Sequence, residues 1–328
     1  MKVSVEIITY NHEKFIARAI DSVLMQKVNF DYEIVIGDDH STDNTRTILA
    51  DYKQRYPDII NLQLNERNYG GTRNAMKTFK ACRGEYVAAL EGDDYWTDPM
   101  KLQIQADLLD ADEDVVMCFH NAEVIYEDGT GKVSHLQNTD QKETIGLDDL
   151  IGETDLFFIA TASIMHRRAA LEPPEWMADS KSGDIPLWIL LAKQGKIRYI
   201  DRAMSVWRRQ PKGQSFTDDY RDEWFIKNRI YLYSCINREL DFRYTRPISR
   251  NLARFYLMLP YCRQNEGKYL KSAYYALKSA LLAPPRNYSE FKNIARHIAP
   301  KPVLWLYSVL KRLVIANQER EPRLLSGN

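Results

Sequence analysis

Segments typical of buried strands alternate with segments typical of helices from the start of this chain to Leu90. Between the strand-like stretches, apolar residues recur at helical spacing, as in Phe15, Ile16, Ala19 and Ile20. Parallel strands joined by helices form a sheet with helices on both faces, so the pattern predicts an α/β fold. The predicted strands cover residues 3–10, 32–37, 60–65 and 86–90.

Acidic residues follow two of these predicted strands. Asp38 and Asp39 end the second strand, and Glu91, Asp93 and Asp94 follow the fourth. Functional groups in parallel sheets collect at the carboxyl ends of the strands, so we expect both clusters at one edge of the sheet. Carboxylates packed together repel one another and are costly to desolvate, which predicts a bound cation nearby.

The pattern is looser beyond Pro99. We expect a helix over 101–109, a strand over 115–126, a polar loop over 127–141 and a strand followed by a turn over 157–170. A helix over 183–195 begins near Asp184, a strand returns over 197–210, and the chain is predicted to be helical beyond residue 220. The turn after the second strand offers Ser41, Thr42 and Asp43 as helix caps.

The overall charge of zero hides an uneven distribution. From Tyr220 onward there are 20 Lys and Arg against 8 Asp and Glu, so the preceding part is acidic. A basic tail suits an anionic surface, although solvated helix faces explain it equally well. No apolar run is long enough for a membrane span, no signal peptide is apparent, and the four cysteines are scattered, which predicts a cytoplasmic protein with reduced thiols.

Five sequence elements occur in the order found in family 2 glycosyltransferases, and the chain resembles that family from about Val3 to Ser215. They read TYNHEKFIARAIDSVLMQ, IGDDHSTDNT, NYGGTRNAMKTFKACRGEYVAALEGDD, SGDIPLW and SVWRRQPKGQS. The resemblance implies the GT-A fold, a mostly parallel Rossmann-like sheet flanked by helices, here with a helical C-terminal extension. It further implies a nucleotide-sugar-binding half over 1–97, an acceptor-binding half over 98–219 and a basic helical region over 220–328.

The resemblance assigns the nucleotide sugar to the strand ends. Tyr10 can stack on the base, and Asp39 matches the acid that accepts a hydrogen bond from the uracil imide. Arg73 and Arg208 are expected at the phosphates, and Asp93 at the ribose or a metal-bound water. The complete set of predicted nucleotide-sugar residues is Thr9, Tyr10, Asn11, Asp39, Arg73, Asp93 and Arg208.

The implied cation is Mn²⁺ or Mg²⁺, which would bridge Asp94, with Glu91, to the diphosphate. One residue departs from the family pattern, because Gln210 stands where many relatives carry a histidine. A glutamine carbonyl is a weaker ligand than imidazole for a transition metal ion, so the substitution predicts a lower metal affinity.

The resemblance implies an inverting transferase in which Asp184 takes the proton of the acceptor hydroxyl. Read without the family pattern, an aspartate at a helix start is an N-cap. The implied partners are a UDP-linked donor, a glycan or lipid-linked acceptor of cell-surface polysaccharide synthesis, and an anionic membrane reached through the basic C-terminal helices; no nucleic-acid-binding module is recognisable. A non-catalytic nucleotide-sugar-binding or scaffold protein remains an alternative, and a nucleotidyltransferase is disfavoured because TYNHEKF is not a glycine-rich loop.

Overall fold

A ten-stranded sheet organises the part of the chain that the computed structural model describes, which is residues 1–127, 133–136, 141–151, 159–210 and 222–298. The sheet order is β3-β2-β1-β4-β9-β6-β10-β5, with β7 beside β6 and β8 beside β10. The strands are β1 Val3–Thr9, β2 Tyr32–Asp38, β3 Ile60–Leu64, β4 Tyr86–Glu91, β5 Tyr95–Trp96, β6 Val115–Tyr126, β7 Val133–His135, β8 Thr144–Ile145, β9 Met165–Arg167 and β10 Lys196–Arg209.

The first four strands are parallel, as the alternation of strands and helices predicted. β9 is antiparallel to both of its neighbours, β4 and β6, and β10 runs parallel to β6. The predicted α/β class with a mostly parallel sheet is therefore confirmed.

Helices cover both faces of the sheet. Side chains of α1, α2 and α4 pack with alternate residues of β1 and β2 in the main core. On the opposite face Val35 and Val87 pack with Phe79 and Ala81 of α3. The helices are α1 Ile16–Leu24, α2 Thr45–Arg55, α3 Gly71–Ala81, α4 Lys101–Ala111, α5 Leu147–Leu150, α6 Asp184–Ala192, α7 Glu223–Glu239, α8 Thr245–Met258, α9 Tyr269–Leu282 and α10 Tyr288–Ile298.

The chain divides into two compact units. The first consists of Met1–Asp218 and Cys235–Tyr244, and the second of Asp219–Ser234 and Thr245–Asn328. The predicted boundary at residues 97 and 98 falls inside the first unit and stays a prediction. No helix in the described ranges is long and apolar enough to cross a membrane. All four cysteines are buried and unbridged, as expected for structural thiols.

Two local predictions need correction. α2 is preceded by Asn44 as its N-cap residue, because Asp43 instead accepts the Thr45 N–H in a local turn. The strand followed by a turn that was predicted over 157–170 is present as β9 and a 3₁₀ turn at Arg168–Ala170, but the strand is shorter than expected. Thr161–Ser163 form a 3₁₀ turn before it, and residues 157 and 158 lie outside the described part.

Helix α9 has a buried face and an exposed face. The helix buries Ser272, Tyr275, Ala276 and Ser279, because these small and amphipathic side chains allow close approach to neighbouring helices. Leucines and a tyrosine on another face are exposed: Leu270, Tyr274, Leu277 and Leu281.

Candidate active site

The registers of β1, β2 and β4 bring the two predicted acid clusters to the same edge of the sheet. Thr9 at the end of β1 pairs with Asp38 of β2, and Ile8 pairs with Glu91 of β4. β10 then pairs antiparallel with β5, matching Val206 to Tyr95. The strand ends that carry acids and the end of β10 therefore meet around the turn after β4.

The acids after β4 occupy different environments. Asp94 is buried, with 1% of its surface exposed, whereas the Asp93 side chain is 20% exposed. Asp94 Oδ1 accepts the Arg208 N–H at 2.8 Å, but the buried Oδ2 has no hydrogen-bond partner among the described residues. A buried carboxylate oxygen without a partner is costly, and a bound cation would remove that cost.

Burial and neighbouring charges disfavour the ionised forms of Glu91 and Asp94 in this cluster. Burial, followed by the charges of Asp93 and Asp184, raises the pKa of Glu91 to about 8. Burial and the charges of Asp93 and Glu91 raise the pKa of Asp94 well above its usual range, against an opposing effect of Arg208. Nearby positive charge would favour the ionised forms of Glu91 and Asp94, because it offsets the burial and the negative charges that raise their pKa values.

The residues of this turn fit a hard divalent cation by donor chemistry. Carboxylate oxygens are the ligands that Mg²⁺ and Mn²⁺ prefer, and Asp94 Oδ2 is an open one. Within the described ranges no Lys or Arg side chain forms a salt bridge to Glu91, Asp93 or Asp94. The same ranges contain no preformed cluster of three or more His, Cys, Asp or Glu side chains that could hold a metal by themselves. A cation here would need ligands from a bound substrate or water.

Two residues of β10 and its end contact this turn. The Arg208 guanidinium donates to Glu127 Oε1 at 2.6 Å and lies over the Phe15 and Tyr95 rings, 5.1 and 4.8 Å from their centroids. These contacts hold the positively charged Arg208 guanidinium beside the acid cluster. Gln210, at the position of the family histidine, donates from Nε2 to Asp93 Oδ2 at 2.8 Å.

Asp39 holds the following loop in place. Its carboxylate accepts hydrogen bonds from Asn65 Nδ2 at 3.1 Å and from the N–H groups of Tyr69 and Gly70, both at 2.8 Å. A carboxylate has about four acceptor positions, so one remains for an imide N–H of a base. The nucleotide role of Asp39 stays a prediction, with loop anchoring as an observed second role.

The end of β1 and the two residues after it include three more of the predicted nucleotide residues. Tyr10 is 43% exposed, which leaves its ring available for stacking, and Thr9 is buried. Asn11 adopts a φ of 55°, and its Oδ1 accepts the Thr42 N–H at 2.8 Å. The carboxamide of Asn11 thus joins the ends of β1 and β2.

Arg73 is engaged with a neighbouring turn. Its Nη2 donates to Asp179 Oδ1 and its Nε to the Ala178 carbonyl at 3.2 Å. A phosphate contact of Arg73 therefore stays a prediction that requires exchange of the Asp179 partner. The observed contact holds the turn that precedes α6, since Gly183 also lies against Thr72 of α3.

Asp184 is the first residue of α6, and the N-cap residue is Gly183. The N-cap interpretation of Asp184 is therefore wrong. Its Oδ1 accepts hydrogen bonds from Ser182 Oγ and from the Ile185 N–H, the latter at 2.9 Å. The charge of Asp184 contributes to the raised pKa of Glu91, so α6 brings this carboxylate into the electrostatic field of the acid cluster. The role of Asp184 as the base stays a prediction.

Sequence reasoning missed three residues that organise the site. Asn65 connects Asp39, Asn74 and Lys77 through its carboxamide, Ser182 orients Asp184, and His12 lies beside Asp93. The position of Asn65 directly after β3, at the carboxyl end of a parallel strand, could have identified it as a site residue. Nothing local in the sequence indicated the contacts of Ser182 and His12.

Comparisons with known proteins identify the family of this chain. The family model described as glycosyl transferase family 2 matches residues 4–172. An uncharacterised protein of Mycobacterium tuberculosis is 36% identical over 231 residues, which is 67% of this chain and 63% of that protein. An uncharacterised glycosyltransferase of Nostoc is 30% identical over 278 residues, covering 76% of this chain and 84% of its own length. The chain thus spans less than two thirds of the mycobacterial relative.

The fold is also found among solved structures. Residues 1–349 of Staphylococcus aureus TarS, solved with UDP-GlcNAc, match with a TM-score of 0.59 and 19% identity, covering 91% of this chain and 90% of that one. At this identity the likeness concerns the fold.

Proposed function

Because this chain belongs to glycosyl transferase family 2, we propose that it is an inverting glycosyltransferase that transfers a sugar from a nucleoside diphosphate to a hydroxyl group. The observation that carries the proposal is the buried Asp94 Oδ2 without a hydrogen-bond partner in the described ranges, at an edge where two strands deliver five acids. UDP is the first nucleotide to test, because the TarS structure contains UDP-GlcNAc.

The proposed donor site uses both strand ends. Tyr10 and Asp39 face the nucleoside, while Asp94 and Glu91 hold Mn²⁺ or Mg²⁺. When bound, that cation supplies positive charge beside the departing diphosphate. Arg208 supports the same charge from β10, where Glu127 and two aromatic rings fix its guanidinium.

The proposed reaction is a single displacement. The acceptor oxygen forms a bond to the anomeric carbon as the bond between that carbon and the phosphate oxygen breaks. The acceptor hydroxyl gives its proton to Asp184, and the nucleoside diphosphate leaves on the opposite side. Ser182 and the Ile185 N–H occupy Oδ1 of Asp184, which leaves Oδ2 as the proton acceptor.

The second unit is the proposed contact with an anionic membrane carrying a lipid-linked acceptor. Its described residues, 222–234 and 245–298, contain 12 Lys and Arg against 4 Asp and Glu. Leu270 and Leu281 of α9 are 82% and 86% exposed. Exposed leucines beside excess positive charge suit the surface of an anionic bilayer. The apolar segment Val303–Ile315, which the sequence offers for the same role, lies outside the described residues.

Calorimetric titration of the whole chain with UDP, GDP and dTDP, with and without Mn²⁺, tests the donor site. We expect Mn²⁺-dependent binding of one nucleotide, lost in Asp94→Asn and retained in Asp51→Asn, a matched change on the exposed surface of α2. Absence of binding by all three nucleotides would overturn the proposal. If a nucleotide binds but the protein shows neither acceptor-dependent sugar transfer nor slow hydrolysis of the donor, the non-catalytic alternative is favoured.

A further inference from the structure

His12 lies beside the acid cluster without an assigned role. Its Nε2 is 4.0 Å from Asp93 Oδ2, and the side chain is 22% exposed. The same Asp93 oxygen accepts the Gln210 Nε2 hydrogen bond at 2.8 Å. His12 and Gln210, which lie far apart in the sequence, therefore approach one carboxylate oxygen.

The backbone of His12 is firmly held. Its N–H donates to Thr45 Oγ1 at 2.9 Å, and its carbonyl accepts the N–H groups of Phe15 and Ile16, each at 2.9 Å. These bonds form the entrance to α1. The backbone from which the imidazole ring projects is thus held by the starts of both α1 and α2.

Gly92 explains how the ring fits against the turn after β4. A Cβ at Gly92 would lie 2.8 Å from His12 Nδ1 and 2.8 Å from Thr9 Oγ1, too close for any residue other than glycine. Both of these atoms are buried and lack a hydrogen-bond partner within the described residues. The glycine between Glu91 and Asp93 therefore accommodates an imidazole whose Nε2 is directed to the Asp93 side.

Gln210 does not replace the missing family histidine chemically. Its amide N–H group is committed to Asp93, and a carboxamide lacks an imidazole nitrogen. An imidazole N–H can donate a hydrogen bond to a carboxylate or to a phosphate, and hydrogen bonds to charged groups are the stronger ones.

We propose that His12 contacts the donor diphosphate through Nε2 and takes the part of the histidine that this chain lacks at position 210. The inference rests on the proposed glycosyltransferase function. It makes His12 a residue that distinguishes the diphosphate from the nucleoside, since the base and ribose are expected at Tyr10 and Asp39.

Calorimetric titration with UDP and with uridine, both in the presence of Mn²⁺, tests this role on the whole chain. We expect His12→Ala to weaken UDP binding by about tenfold, the usual loss for a hydrogen bond to a charged group, and to leave uridine binding unchanged. His12→Phe keeps a ring against Gly92 and should show the same loss, which guards against a packing defect in the alanine variant. His135→Ala, on the exposed strand β7, is the matched control and should bind as the wild type does.

Rescue provides the sharpest comparison. Adding Gln210→His to His12→Ala should restore most of the UDP affinity, because it returns an imidazole to the family position. Unchanged UDP binding in His12→Ala, an equal loss for uridine, or no rescue in the double variant would each overturn the inference while leaving the proposed function intact. If the wild type binds no nucleotide, the proposed function and this inference fall together.

Discussion

At the residue scale, Asp184 has the contacts expected of an oriented proton acceptor. Ser182 and the Ile185 N–H hold one carboxylate oxygen, and the other has no hydrogen bond from the residues that the structure describes. Fixing one oxygen restricts the direction in which the second can accept a proton. The charge of Asp184 also helps to raise the pKa of Glu91, so the predicted base interacts electrostatically with the acid cluster.

We expect Asp184→Asn to slow transfer strongly while retaining donor binding. An asparagine can keep the geometry of α6 but cannot take a proton, and loss of a general base costs roughly 10²- to 10⁴-fold in rate. Transfer assays and UDP titration on the same preparation measure the two effects, with Asp51→Asn as the surface control. A variant that transfers sugar at the wild-type rate would remove Asp184 from the mechanism.

Glu6 is a buried acid of β1 outside the candidate site. Burial raises the pKa of Glu6 to about 8 from its usual value of 4.5, and a backbone hydrogen bond with Phe79 opposes the shift. Its Oε1 has no hydrogen-bond partner in the described part of the chain. The folded state therefore binds the Glu6 proton more tightly than the unfolded state does.

The Glu6 contribution to stability is fully present below pH 4.5 and is lost as pH rises to about 8. Glu6→Gln should match the wild type in unfolding free energy near pH 4 and exceed it by roughly 5 kcal/mol at pH 9, because the pKa shift from 4.5 to about 8 corresponds to about 1.4 kcal/mol for each pKa unit. Urea denaturation at both pH values measures this. Glu113→Gln on the surface should show no such difference, and a pH-independent effect of Glu6→Gln would contradict the assignment.

At the scale of elements, Glu223 joins α7 to α9 within the second unit. Its Oε1 is 2.9 Å from Lys227 Nζ and 2.8 Å from Lys271 Nζ, and accepts the Tyr275 hydroxyl at 2.9 Å. Partial burial raises the pKa of Glu223, but the hydrogen bonds of Lys271, Lys227 and Tyr275 outweigh this and lower the pKa to about 2. The ionised carboxylate thus stabilises the packing of two helices.

Glu223→Gln should destabilise the second unit at pH 7 by about 1–3 kcal/mol, the range for hydrogen bonds to charged groups. Because the folded pKa is lowered, this contribution is present above about pH 4.5 and is lost as pH falls towards 2, so the difference should disappear in acid. Hydrogen exchange of α7 and α9 locates the effect. The exposed change Glu266→Gln is the control, and equal exchange in both variants would show that the network does not stabilise these helices.

Helix α9 presents its exposed residues at a regular spacing. Leu270, Tyr274, Leu277 and Leu281 recur every three or four residues, whereas the buried residues of the helix are Ser272, Tyr275, Ala276 and Ser279. Apolar side chains in this arrangement suit insertion into the boundary of a bilayer.

We expect Leu270→Gln, Leu277→Gln and Leu281→Gln together to reduce binding to anionic vesicles by at least tenfold, since each exposed leucine loses burial of apolar surface in the lipid. Vesicle co-sedimentation measures the change. Leu64→Gln removes an exposed leucine of the first unit and should have no effect. Wild-type vesicle binding by the triple variant would exclude α9 from the contact.

At the scale of the whole molecule, the sequence predicted what depends on local pattern and topology. Buried apolar strands such as Tyr86–Glu91 and helices such as Lys101–Ala111 follow from spacing, and the shared edge of Asp39 and Glu91 follows from parallel pairing. Contacts between distant segments were not predictable from one sequence. The hydrogen bond of Gln210 to Asp93 depends on β10 pairing with β5, and the ring position of His12 depends on Gly92.

The uneven charge distribution gives the final prediction, which concerns binding by the chain as a whole. Residues from Tyr220 onward carry 20 Lys and Arg against 8 Asp and Glu, whereas the preceding part has an equal and opposite excess of acids. Attraction of the basic part to an anionic surface weakens with salt, because the screening length falls from about 10 Å at 0.1 M to about 3 Å at 1 M. Binding to phosphatidylserine-containing vesicles should therefore fall by at least tenfold over that range, and binding to neutral phosphatidylcholine vesicles should be weak at every salt concentration. Salt-independent binding, equal for both vesicle types, would show that charge does not direct this protein to a surface.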